Sequence, residues 1–229
     1  MGYSSIIKAT FPQLQRGNIV SNGLVGAWPF YEMSGGKIYD VSGQGNHATI
    51  SGSSVSRAAG GNGAAVSFPG TGSNNAACVS DAIAASHDFS VVIYTAPAVV
   101  NADNVWIVSQ GASTGTDRVI QCGLHNANPQ FNFWSDDWQP SGSNLSANQW
   151  YWLIFTFVTA TKARRIYYNG NLIGPNTATG NPVGGGVLKF GGDSSLFANS
   201  PYNGKVGEVR VYNRTLSVQE VTRISMGQG

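Results

Sequence analysis

From Gly23 onward, short apolar or alternating runs are separated everywhere by clusters of Gly, Asn, Ser and Pro. That is the pattern of brief strands joined by tight turns, and it leaves no room for long helices. The runs fall at 24–30, 47–50, 64–68, 77–80, 89–96, 105–110, 118–124, 130–134, 150–158, 164–168, 172–173, 188–190 and 206–212. Many short strands with almost no helical periodicity predict a two-sheet antiparallel sandwich. The segment from Trp150 is apolar on both alternating faces, so it is expected to be a central strand. Asn169-Gly170 lies between apolar runs, and both residues tolerate the positive φ angles of a tight hairpin turn. Ser217 precedes Glu220 by three residues, the spacing of a capping box, which predicts one short C-terminal helix. Residues 1–22 read as an N-terminal arm and 23–229 as the sandwich.

Composition narrows the partners. The 229 residues include 30 Gly and 9 Pro, and only 10% are charged. Disorder needs high net charge and few aromatics, whereas the net charge is +2 and aromatics reach 11%. Thirteen Lys and Arg against eleven Asp and Glu supply no dense basic face, so nucleic acid is excluded as a general partner. No run of about 18 apolar residues exists, which excludes a transmembrane helix. The first residues lack the apolar stretch of a secretory signal, so synthesis in a host cytoplasm is expected. Cys78 and Cys122 fit no metal spacing and read as buried free thiols.

The ordered segments resemble a known family. Gly23-Leu24-Val25-Gly26-Ala27-Trp28-Pro29-Phe30 resembles the first strand of laminin G-like, concanavalin A-like domains. Asp40-Val41-Ser42-Gly43-Gln44-Gly45-Asn46 resembles their Asp-x-Ser-Gly-x-Gly-Asn loop. Asp88-Phe89-Ser90-Val91-Val92-Ile93-Tyr94 is similar to a central strand, and Trp150-Tyr151-Trp152 to another. Tyr167-Tyr168-Asn169-Gly170 matches a family turn, and the segment from Gly204 to Ser217 matches the closing strand. The resemblance implies an all-β jelly-roll sandwich of the lectin and glucanase superfamily, of the kind found in phage structural and bacterial surface proteins. It also implies a structural calcium ion with Asp40 as candidate ligand. Gly207 stands where the family usually has Asp, which counts against that ion. Asp40 capping its own turn is the competing reading. No other cofactor is expected.

Relatives of this sandwich include glycosidases, which need two carboxylates about 5–9.5 Å apart. Glu32, Glu208 and Glu220 are the only glutamates, and none has a second acid at i+2 or i+4 on a strand. A non-catalytic protein is therefore expected. For ligand binding, Asn132, Trp134, Asp136, Asp137 and Trp138 concentrate flat rings and hydroxyl-fixing groups at a strand-to-loop transition, the mixture that sugar recognition uses. Asp136 and Asp137 are adjacent, so an extended backbone points them to opposite faces. A second candidate loop, 193–202, holds Phe197 and Tyr202. In the arm, Ile6, Ile7, Phe11 and Leu14 are apolar residues expected to be buried against a partner: another copy, or a capsid or tail protein. Together these point to a virion surface protein, a capsid decoration or fibre component, that exposes a lectin-like sandwich to cell-surface glycan. A carbohydrate-binding module or adhesin at a bacterial cell surface is the alternative reading, and a glycoside hydrolase the second.

Overall fold

The structure is a computed structural model that describes residues 20–71, 75–78, 82–83, 86–113, 115–192 and 201–228. The first strands in chain order are β1 (Leu24–Trp28), β2 (Lys37–Ile38), β3 (Ala48–Ser51), β4 (Ser56–Gly60), β5 (Gly63–Pro69) and β6 (Asn75–Cys78). The central ones are β7 (Phe89–Pro97), β8 (Val105–Gly111), β9 (Val119–His125), β10 (Asn128–Asn132) and β11 (Tyr151–Val158). Then come β12 (Ala163–Tyr168), β13 (Asn171–Thr177), β14 (Val187–Phe190), β15 (Asn203–Tyr212) and helix α1 (Val218–Ser225).

These strands form two antiparallel sheets. One runs β13-β12-β11-β7-β15-β5-β4, with β1 alongside the second half of β15; the other runs β10-β9-β8-β14-β6-β3-β2. The sandwich expected from turn spacing is the fold observed. Strand β11 is internal and buried along almost its whole length, as its two apolar faces require. Its inward residues Phe155 and Phe157 meet Phe131 and Phe133 across the sandwich, with ring centroids 5.5 Å apart for Phe131–Phe155 and 5.0 Å for Phe133–Phe157. These edge-to-face pairs, with interplanar angles of 63° and 88°, add to the hydrophobic gain of burial. They also fix β10, the strand from which the candidate loop springs.

The outer face of the first sheet is covered too. Val92, Tyr94, Trp152, Ile154, Tyr167 and Tyr212 pack beneath Leu216, Val221 and Ile224 of the C-terminal segment, together with Val20. The capping box closes α1 as predicted: Ser217 Oγ accepts from the Glu220 amide, and the Glu220 carboxylate accepts from the Ser217 amide at 2.8 Å. Asn169 and Gly170 hold φ values of 46° and 85° in the β12–β13 turn, as their pairing foretold. Short strands β2 and β4 went unread because neither carries an apolar run. Gly207 lies at a register shift in β15, where a Cβ would come within 3.0 Å of Tyr94 and 3.1 Å of Trp150. Glycine therefore makes room for aromatic packing at this position.

Cys122 is buried as a free thiol. Strand order puts β9 and β6 three spacings apart, about 14 Å. That is beyond the Cα separation of about 7 Å that a disulfide spans, so Cys78 and Cys122 are not bridged. No helix among the described residues is long and apolar enough to cross a membrane.

Candidate functional site

The candidate loop turns back on the strand that leads into it. Phe131 N donates to Trp138 O at 3.0 Å and Phe133 N to Asp136 O at 3.2 Å, so residues 136–138 run antiparallel to the end of β10. The two residues at the tip are Trp134 and Ser135, with φ values of 48° and 60°. Two successive positive φ angles are what a two-residue type I′ turn demands, and Asn and Gly are the residues suited to it. A bulky Trp there is exceptional and costs on the order of 1 kcal/mol. Trp134 is half-buried and belongs to neither hydrophobic cluster.

Two pins hold this turn. Asn132 is buried; its Oδ1 accepts from Trp138 N at 3.0 Å and its Nδ2 donates to Gln130 Oε1 at 3.1 Å. The stronger pin is Arg164 of β12. Its Nε donates to Asn176 Oδ1 at 2.7 Å, its Nη1 to the carbonyls of Phe131 and Asp136 at 3.0 and 2.8 Å, and its Nη2 to Asp136 Oδ1 at 2.7 Å. The guanidinium also lies 5.3 Å from the Phe133 ring centroid and 5.6 Å from that of Trp138, within cation–π range. The second Asp136 oxygen accepts from Thr179 N at 2.8 Å. Arg164 and Asp136 are only 2% and 6% exposed. A buried charge needs its partner, because an isolated one costs several kcal/mol of desolvation.

Of the five residues predicted to contact ligand, the structure therefore divides the roles. Asn132 and Asp136, expected as ligand groups, are buried, and their side chains hydrogen-bond within the turn and to Arg164 and Thr179. Trp138 packs partly on the core and against Arg164 and Gly174. Asp137 is exposed while Asp136 is buried, the opposite facing that adjacency required, and Trp134 is half-buried at the tip. Partial desolvation raises the Asp137 carboxyl above its ordinary range; Arg164 opposes that and Asp136 adds to it.

Two residues escaped the sequence reading. Arg164 occupies a core-facing position of a strand, and a charge at that parity was the available signal, since it demands a buried counter-charge. Asp117, in the β8–β9 loop, donates its amide to the Trp134 carbonyl at 3.2 Å and accepts from Val183 N at 2.8 Å. Its Oδ1 is shielded from solvent with no hydrogen-bond partner, and burial, then the charge of Asp136, raises its pKa. Three loops thus meet at the Trp134 tip.

Asp40 and the three glutamates serve the fold. Asp40 is buried and accepts from the amides of Ala27, Ser42 and Asn46 at 2.8 to 2.9 Å. Three N–H donors aimed at one carboxylate cap a loop and do not fit a cation, which wants six or more oxygens. Among the described residues no group of three or more His, Cys, Asp or Glu side chains is placed to hold a metal ion. Glu32 pairs with Arg57, Glu208 with Arg210 and Glu220 with Arg214. Tyr202 of the second candidate loop is fully buried, its hydroxyl 2.6 Å from Thr95 Oγ1; residues 193–200 lie outside the described residues. So do Ile6, Ile7, Phe11 and Leu14 of the arm.

The two-sheet sandwich and its rim of loops define a lectin-like class. The model of the concanavalin A-like lectin/glucanase superfamily matches residues 70–222, and the chain belongs to that superfamily. No curated protein matches the sequence. Among solved structures, domain 4 of AbnA, an extracellular arabinanase from Geobacillus stearothermophilus solved with arabinotriose, superposes with a TM-score of 0.67 at 18% identity, covering 88% of this chain and 98% of that one. Botulinum neurotoxin type C, in a structure whose subject is cell entry through two ganglioside molecules, gives 0.71 at 12% identity, over 92% of this chain and 52% of its own. Trypanosoma rangeli sialidase with sialic acid gives 0.67 at 18%, over 90% and 33%. The chain thus spans about half and a third of the last two. At such identities the likeness is one of fold.

Proposed function

We propose that the protein is a non-catalytic, glycan-binding sandwich whose contact point is the turn tip at Trp134. The observation that carries this is the conformation of Trp134. A large ring is held at positive φ, outside both hydrophobic clusters, on a turn braced beneath by a buried ion pair. Backbone strain that the core does not call for is a mark of functional positions. A half-exposed indole stacks on a pyranose face, and exposed Asp137 beside it accepts from hydroxyls through charge-assisted bonds. The absence of catalysis is supported by the pairing of all three glutamates with arginines, which leaves none as a solvent-facing acid or base. The test is a glycan array read with wild type and Trp134→Ala. Signal that vanishes in the variant supports the reading; signal that survives overturns it. Turnover of a glucan substrate would overturn the non-catalytic part.

The setting we propose is a virion surface, with the sandwich docked through residues 1–22. It is supported by Ile6, Ile7, Phe11 and Leu14 in that segment and by loops rich in Ser, Asn and Gly. Deleting residues 1–22 abolishes co-sedimentation with particles if this is right. Unchanged association leaves the bacterial surface module or adhesin as the better setting.

A further inference from the structure

Four Asn-Gly pairs occur in the chain: Asn22-Gly23, Asn62-Gly63, Asn169-Gly170 and Asn203-Gly204. Such a pair is chemically labile. Glycine has no side chain to screen its amide nitrogen, so that nitrogen can attack Cγ of the preceding asparagine. The new N–Cγ bond closes a succinimide ring, and the side-chain nitrogen leaves as ammonia. Water then opens the ring at either carbonyl, giving aspartate or isoaspartate; nothing is oxidised or reduced. The reaction needs a side chain free to swing onto the backbone and a peptide free to turn with it. The fold grants these unequally.

Three pairs are restrained. Asn169 Oδ1 accepts from Trp152 N at 2.9 Å, and its own amide donates to Trp152 O at 2.8 Å. Asn203 opens β15, and its carbonyl accepts from Ala98 N at 2.9 Å. Gly204 after it is buried in the ladder opposite Phe68 and Pro97. The Asn22 carbonyl accepts from Arg214 Nε at 2.7 Å, and a bond of 3.2 Å from Leu24 N to Ser21 O closes a turn around that pair.

Asn62 is placed differently. It stands at the tip of the β4–β5 hairpin, between the paired residues Gly60 and Gly63. Gly61, Asn62 and Gly63 are all exposed, and a Cβ on Gly63 would meet no atom within 4 Å. Among the described residues none holds the Asn62 side chain by a hydrogen bond or ion pair. We propose that Asn62 is a spontaneous deamidation site, where the folded chain first acquires isoaspartate and gains a negative charge. The chemistry is independent of the sugar reading at Trp134. Its effect would fall on an edge strand: isoaspartate lengthens the backbone by one carbon at the turn that sets the Gly60–Gly63 register of β4. The neighbouring Gly61 has little room to adjust, since a Cβ there would collide with the Tyr94 hydroxyl and come within 3.0 Å of Trp150 Cγ.

The test incubates the full chain in mildly alkaline buffer, folded and in denaturant. Each Asn-Gly peptide is followed by mass spectrometry for replacement of the side-chain NH2 by OH. In the folded chain Asn62 is expected to convert at least about tenfold faster than Asn169 or Asn203, which must first open locally. In denaturant that protection is gone and the rates should converge. The variant Asn62→Ser should lose the early acidic species on ion exchange. In the separated isoaspartate form, hydrogen exchange should be faster in β4 than in the unconverted chain. Asn169 or Asn203 matching Asn62 in the folded chain overturns the assignment, as does an Asn62 that converts only in denaturant. An acidic species forming at the same rate in Asn62→Ser overturns it as well. Unchanged exchange in β4 overturns the effect assigned to the edge strand.

Discussion

Removing either member of the Arg164–Asp136 pair tests whether the turn is held as described, and the structure predicts that the two removals differ. Breaking a buried pair by deleting one partner costs about 3–5 kcal/mol, because the other charge stays buried and uncompensated. In Asp136→Ala the stranded guanidinium still feels Asp117 and Asp137, whose charges act on it, so the loss falls near the lower figure. In Arg164→Met, Asp136 keeps only the Thr179 amide, the Phe131 and Asp136 carbonyls lose a donor, and three acids are left without their shared cation. That loss reaches the upper figure. At about 2–4 °C per kcal/mol for a domain of this size, Asp136→Ala lowers the melting temperature by roughly 6–12 °C, and Arg164→Met by more. Urea midpoints at neutral pH, with unchanged slope, are the assay. Acidification should narrow the gap between the variants as the carboxylates protonate. The double variant Arg164→Met/Asp136→Leu should lose much less than the sum of the two. Losses below about 1 kcal/mol, or Asp136→Ala proving the worse, would refute a buried pin.

Trp134→Gly should be more stable than Trp134→Ala by about 1 kcal/mol in urea, since only glycine escapes the cost of positive φ, while neither retains glycan. The Glu220 carboxyl is held below its ordinary range, first by its hydrogen bond from Arg214. Its stabilisation is therefore full above the ordinary carboxylate range and is lost as pH falls through it, and Glu220→Gln should flatten acid denaturation there. Asp117 shifts the other way through burial. Its charge opposes folding near neutrality, so Asp117→Asn should raise the neutral-pH melting temperature, a gain that disappears once acid protonates the wild-type carboxyl. Thiol titration in denaturant, with no reductant added, should count two free cysteines, because the strand order keeps Cys78 and Cys122 apart.

How far the sequence reads depends on the range of the interaction involved. Turns and caps are local: Asn169-Gly170 and the Ser217–Glu220 box each carry their geometry within a few residues, and both appear where the pattern puts them. Strands follow from apolar alternation, which is why β7, β11 and β15 were legible while β2 and β4, with no apolar run, were not. The candidate loop is the opposite case. The cluster from Asn132 to Trp138 was visible as chemistry, yet adjacency alone does not tell which of Asp136 and Asp137 faces inward. That is decided by Arg164, 28 residues away from Asp136, and Arg164 is buried only because β12 joins β11 in the facing sheet. The lone clue was an arginine at the same strand parity as Ile166, a core residue. A charge in such a register forces a buried acid somewhere in the facing layer, and the acid so taken can no longer serve a ligand. The residues most conspicuous for binding are thus the ones the fold is most apt to consume. Asp137 stays exposed because Arg164 takes its neighbour Asp136 instead.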